Sequence, residues 1–128
     1  MTNTRIYRRI AIVSAVVVGV AALAYGGFMA WTYHVTFASD ADCRAAQAVV
    51  RGGGGLTDAA AAQAWATTAR TQKDKIGHDR LRTGVTKYIT VVERTFDGPP
   101  PKTEARGDAF SDMFDACRDI QVNFPTPR

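Results

Sequence analysis

IAIVSAVVVGVAALAYGGFMAW, residues 10–31, is a run of twenty-two residues without a charge, and its reading decides the fold of a chain of 128. A helix rises about 1.5 Å per residue, so the run extends about 33 Å, enough to cross the hydrocarbon of a bilayer. Arg5, Arg8 and Arg9 stand before it, and no Lys or Arg follows until Arg44. Basic residues ahead of a first span hold that end in the cytoplasm. The sequence therefore predicts a cytoplasmic stub at 1–9, a transmembrane helix at 10–31 and an extracytoplasmic remainder. A cleaved signal peptide is the competing reading. Its apolar region usually covers about 7–15 residues, whereas this run ends at Trp31 and Tyr33, aromatics suited to the headgroup layer. Thr36 and Ala38 form a weak small-residue cleavage site ahead of Ser39, so cleavage stays open.

Beyond a juxtamembrane connector at 32–39, the remainder is one small domain, predicted at 40–124, with a flexible tail at 125–128. From His34 onward four Lys and nine Arg meet ten Asp and two Glu, a net charge of +1. The basic character of the whole chain comes largely from the three arginines before the span, and the charge gives no support for nucleic-acid binding. A domain of this size is near the lower limit for a self-sufficient core, and both cysteines, Cys43 and Cys117, fall in it. An even cysteine count in a small exported domain favours a disulfide. Two cysteines with only His34 and His78, at no ligand-like spacing, make a poor metal site.

Helical patterning dominates the domain. Ser39 or Asp40 suits the cap of a short helix over about 41–51, ended by the four glycines at 52–55, which read as a mobile turn. A phosphate-cradling reading of those glycines lacks the Gly-Lys-Ser/Thr that should follow. Thr57 or Asp58 suits the cap of an alanine-rich second helix to about Ile76, with Trp65 as its large anchor and Gly77 as its stop. A third helix is predicted over about 79–96, with Leu81, Val85, Tyr88, Val92 and Phe96 on one stripe and Arg80, Lys87 and Arg94 on another. The break at Asp97, Gly98 and prolines 99–101 separates it from a fourth helix over about 103–124. On that helix Phe110, Met113, Phe114, Cys117, Gln121 and Phe124 would share one side, with Gln121 the polar exception. Asp108, Asp112, Asp115 and Asp119 would share the other. The predicted fold class is all-α, a transmembrane helix followed by a small extracytoplasmic bundle in which Cys117 staples the last helix to the first.

Three surfaces are candidates for interaction. Ala11, Ala15, Gly19, Ala22, Gly26 and Ala30 form a small-residue track along the span, a candidate membrane association face that lets another helix approach. Such a stripe also arises by composition in an alanine- and glycine-rich span. The aspartates at 108, 112, 115 and 119 form a candidate partner-contact face, although an acidic outer face is commonly just hydrated, and calcium draws its ligands from a compact loop. The basic row at 80, 87 and 94 pairs with acids or touches anionic headgroups. Trp65, Tyr88, Phe110 and Phe114 are a candidate ligand groove, or ordinary core. No catalytic constellation stands out: neither Ser39 nor Ser111 sits in a nucleophile pattern, and His78 after Gly77 suits a cap or a solvated turn. No cofactor or metal is expected.

The Arg-flanked anchor, the Asp-x-Asp-Cys element at 40–43, the alanine-rich helix with Trp65 and the late Cys117 resemble small uncharacterised single-pass membrane proteins of actinobacteria, the mycobacterial ones in particular. Twelve Arg against four Lys fits a high-GC source. The resemblance implies an envelope setting, as for the anchored accessory proteins of mycobacterial lipid transporters, many of which carry a β-rich outer domain that this chain's pattern lacks. The expectation is a non-enzymatic, membrane-anchored accessory or interaction protein with the bilayer as partner and, as a candidate partner through the transmembrane helix, another membrane protein or a second copy. The alternative is an extracytoplasmic module that binds a lipid or small ligand.

Overall fold

The computed structural model describes residues 2–126, apart from the side chains of Thr2, Tyr33, His34 and Val35. Five helices and no strand occur among the described residues: α1 (Thr2–Thr36), α2 (Asp40–Gly54), α3 (Ala59–Lys73), α4 (Asp79–Phe96) and α5 (Thr103–Ala116). They divide into two compact units, residues 1–34 and 35–128. The chain is all-α, with one long apolar N-terminal helix and a disulfide.

The first unit is α1. Its apolar segment, Asn3–Thr32, has a mean hydropathy of 2.2 and is long enough to cross a membrane. The isoleucines, valines, Phe28 and Trp31 along it are exposed, so nothing in the protein covers the surface that such side chains need covered. The helix is longer than the span read from the sequence. Its first turns take in the arginines of the stub at 1–9, and its last turn runs through most of the connector, leaving Phe37 to Ser39 outside helix. Arginine and asparagine have no strong bias against helix, and no glycine or proline interrupts the chain before Gly19. The interfacial placement expected of Tyr33 lies outside the described side chains.

The second unit is the bundle, built on α4. Leu81, Val85, Tyr88 and Val92 are fully buried along one face of α4, at the spacing that aligns side chains on a helix. Against them pack Val49 and Val50 from α2, Ala62, Ala66 and Ala69 from α3, and Ala109 and Met113 from α5. Alanines let α3 lie close to α4, and Gly84 does the same for α5. A Cβ at Gly84 would sit 2.8 Å from the Met113 side chain and 3.0 Å from its backbone nitrogen. Caps start three of the helices: Ser39 Oγ accepts from Asp42 N, Asp58 Oδ1 from Ala61 N, and His78 Nδ1 from Leu81 N.

Three elements of the bundle depart from the sequence reading. The glycines at 52–54 continue α2 instead of ending it, and Gly53 is buried. Glycine inside a helix costs about 1 kcal/mol relative to alanine, and tertiary contact offsets that cost here. A Cβ on Gly53 would lie 2.7 Å from the Tyr88 ring and 2.8 Å from that of Trp65. The missing side chain is the space these two rings occupy.

The second departure is the C-terminus. The fourth bundle helix ends at Ala116: Cys117 is extended (φ −136°, ψ 94°), a turn at 118–119 is closed by Ile120 N donating to Cys117 O at 3.1 Å, and the chain beyond it is not helical. Cys43 and Cys117 are disulfide-bonded with Cα atoms 5.8 Å apart. A hydrogen bond from Ala38 N to Ala116 O, 3.1 Å, holds the same spot. Gln47 then grips the extended chain: its Nε2 donates to Gln121 O at 3.0 Å, and its Oε1 accepts from Gln121 N at 2.8 Å. A side-chain amide satisfying both backbone groups of one residue does what a neighbouring strand would do, and it favours extended backbone at Gln121 over helix. Ile120 and Pro125 are buried as the strap crosses α2 and α4. Pro125, expected in a flexible tail with residues 126–128, is therefore part of the core; Pro127 and Arg128 lie outside the described residues. The second helix likewise stops at Lys73, short of the expected Ile76, which follows in a hydrogen-bonded turn and is buried.

Replacing Gly53 with Ala should lower the stability of the full chain in detergent micelles by about 1–3 kcal/mol, the cost of overpacking a core, despite the better helix propensity of alanine. Gly55→Ala, where a Cβ meets nothing within 4 Å, should be neutral or slightly stabilising. Equal melting temperatures for the two variants would contradict this account of the glycine run.

Candidate functional site

The four aromatics read as a possible groove fall into two separate groups. Trp65 and Tyr88 meet edge to face, ring centroids 5.8 Å apart, and Trp65 Nε1 donates to Val49 O at 3.2 Å. Phe110 and Phe114 instead stack on each other on α5, centroids 5.3 Å apart and planes 18° from parallel. The third ring against Tyr88 is Phe124 from the strap, at 5.2 Å, with the Arg106 guanidinium carbon 5.7 Å from that ring's centroid. Tyr88 is fully buried, and the space between α2, α3 and α4 is filled by these rings.

The Tyr88 hydroxyl lies 2.6 Å from Asn123 O and 3.0 Å from Val50 O. Its single proton thus serves a carbonyl from α2 and one from the strap. Burial pushes the phenol's pKa well above the ordinary range, because ionisation would place a charge inside the core.

The acidic face and the basic row meet. Arg80 Nη2 bonds Asp115 Oδ2 at 2.6 Å, and its Nε lies 3.4 Å from Asp112 Oδ1. Lys87 Nζ reaches Asp112 Oδ2 at 2.7 Å. The hydrogen bond to Asp112 raises the Lys87 pKa above its usual value, with the charges of Asp112 and Asp108 adding to the effect. Asp112 and Asp115 thus join α5 to α4, leaving Asp108 as the exposed acid on that side of the helix. Asp119, expected beside them, lies beyond the helix in the turn that follows Cys117. A second cross-helix pair joins Arg70 on α3 to Glu93 on α4. Such exposed pairs are screened by solvent, so they set register more than stability.

Arg94, the last of the basic row, lines a depression of about 530 Å³ beneath the proline turn, with Asp97, Lys102, Glu104 and Asp108. Two cations against three carboxylates give that depression no strong preference for an anionic ligand. His78 is engaged as a cap, and its backbone N–H donates to Asp42 Oδ2 at 3.2 Å, tying the start of α4 to α2. Among the described residues no three His, Cys, Asp or Glu side chains gather as a metal would require. Along α1, Ala11, Ala15, Gly19, Ala22, Gly26 and Ala30 are all exposed, and a Cβ on Gly19 or Gly26 would meet nothing within 4 Å.

Residues that the helix pattern did not single out do much of the joining. Gln47, Asn123 and Arg106 bind or cover the strap, and the sequence clue was Gln121, a polar residue interrupting an otherwise apolar face.

Tyr88 also sets an alkaline limit. An unfolded phenol titrates near about pH 10, and its folded value is raised, so the stability it contributes is fully present below that pH and falls as pH rises above it. Tyr88→Phe should cost about 1–2 kcal/mol at neutral pH by leaving the two carbonyls short of a donor. It should also flatten the loss of stability between about pH 9.5 and 11 relative to the natural chain, measured by urea unfolding in micelles. Parallel pH profiles for the two proteins would contradict a buried, neutral phenol.

No protein-family model, curated protein or solved structure matches this chain, so what the bundle does has to follow from its own geometry.

Proposed function

We propose that this protein is a non-enzymatic, membrane-anchored interaction module of the cell envelope, with its N-terminus in the cytoplasm and its bundle outside. One observation carries the reading: a single chain joins a long apolar helix, exposed from Asn3 to Trp31, to a separately compact bundle locked by a disulfide. The exposed helix needs a lipid environment, and its flanking arginines favour retention of that end in the cytoplasm. The disulfide suits an oxidising compartment. Asp112 and Asp115 join α5 to α4, and Glu93 joins α4 to α3. A partner contacted through the anchor or the bundle surface is the role such a tether serves.

The lipid- or ligand-binding alternative draws less support, because Tyr88 and Trp65 pack into the core with Phe124 instead of lining an open groove with Phe110 and Phe114.

The full chain carrying a C-terminal reporter that is active only outside the cytoplasm should be active, should sediment with membranes after alkaline extraction, and should retain its N-terminal residues on sequencing. Reporter activity confined to the cytoplasm would overturn the orientation. A mature N-terminus near Ser39 would overturn the anchor.

A further inference from the structure

Between the end of α2 and the C-terminal strap lies a depression of about 400 Å³, lined by Gln47, Arg51, Gly54, Gly55, Gln121 and Asn123. Its walls are fixed by bonds that need no ligand. The Gln47 amide is committed to the backbone of Gln121 at 2.8 and 3.0 Å, and Asn123 is held through its carbonyl by the Tyr88 hydroxyl at 2.6 Å. Gly54 brings the strap close: a Cβ there would lie 3.2 Å from Asn123 Cβ and 3.3 Å from Asn123 O. A Cβ on Gly55 would meet nothing within 4 Å, so the backbone is open to approach at that point. The shape is present before any ligand arrives, which removes the ordering cost of binding.

The polar side chains of this depression are unengaged. The Arg51 guanidinium and the side-chain amides of Gln121 and Asn123 belong to exposed residues and make no hydrogen bond or ion pair among the described residues. The helix end beside them is also unmet. Asp74, Asp97 and Cys117 close α3, α4 and α5 with their own backbone N–H groups, whereas Gly55 donates no such bond to α2, so carbonyls of its last turn lack a donor. No Asp or Glu lines the depression. These groups set the chemistry of what fits. A lone guanidinium matches one carboxylate, which it can hold through two parallel bonds. A phosphate dianion matches poorly, because a single cation faces it while the negative end of the α2 dipole repels it. The carbonyls require donors and the two amides require both donors and acceptors. Hydroxyl groups supply both, and an apolar ligand supplies neither.

We propose that this depression binds a saccharide unit bearing a carboxylate, a hexuronic acid, with the carboxylate on Arg51 and the ring hydroxyls shared among the Gln121 and Asn123 amides and the last carbonyls of α2. The site lies within the bundle alone and does not depend on the membrane reading of α1. The test is a nitrogen–proton NMR titration of the full chain in zwitterionic micelles, with glucuronate, glucose and acetate as probes. Glucuronate should saturably shift the side-chain amides of Gln121 and Asn123 and the backbone amides of Gly54 and Gly55. It should do so with an affinity about tenfold or more above that of glucose or acetate, because it alone supplies both the charge and the hydroxyls. Arg51→Gln, at an exposed position, should leave the melting temperature unchanged, weaken glucuronate by about tenfold and leave glucose unaffected. If that variant unfolds, Gln121→Ala replaces it, with a loss of about threefold or more for glucuronate. Acetate as effective as glucuronate would overturn the saccharide, and glucose as effective would overturn the carboxylate. No saturable shift with glucuronate, or shifts confined to other residues, would overturn the site. Undiminished glucuronate affinity in the folded variant would overturn the role given to its side chain.

Discussion

Three parts of the bundle, α2, α3 and the C-terminal strap, converge on the side chain of Tyr88. Its ring fills the space left by the absent side chain of Gly53 and meets Trp65 and Phe124. Its hydroxyl is shared between the carbonyls of Val50 and Asn123. One residue of α4 thus fixes α2, α3 and the C-terminal strap at once. A buried phenol is stable only while neutral and hydrogen-bonded, so the same contacts that make it central make its proton indispensable.

The disulfide solves a different problem. A domain of fewer than 100 residues buries a modest core, and much of this one is alanine. Closing a loop of 74 residues removes unfolded-state freedom worth about 4 kcal/mol in the chain-entropy picture. It also fixes where the strap begins, and Gln47 and Tyr88 then hold two further points along it. Ion pairs between α4 and α5 add alignment at little net gain in free energy.

The long apolar helix, the helices α3 and α4 and the pairing of the two cysteines were legible because each is written locally or by elimination. An uninterrupted apolar run, a stripe at positions 81, 85, 88 and 92, and an even cysteine count leave little choice. What stayed hidden depends on contacts distant in sequence. Glycines 52–54 read as a turn because glycine opposes helix, and only the rings of Trp65 and Tyr88 make their helical placement favourable. The pattern 110, 113, 114, 117, 121, 124 read as one continuous helical face because an apolar strap also buries alternate residues. The bidentate grip of Gln47 on Gln121 decides against helix there. The aspartates at 112 and 115 read as a solvated or partner-facing row because their cations lie 25–35 residues earlier in the chain.

The bundle is a separately compact unit whose α5 is joined to α4 by ion pairs and whose C-terminal stretch is fixed by a disulfide. The central claim is that this unit folds around the Cys43–Cys117 staple, as an oxidising compartment allows. The most direct test is thiol trapping in intact cells, with a mass-adding maleimide applied to the membrane fraction before and after reduction. The account predicts that neither cysteine reacts before reduction and both react after it, in a monomeric species that keeps its N-terminal helix. Two reactive thiols before reduction, in protein trapped at the moment of lysis, would contradict it.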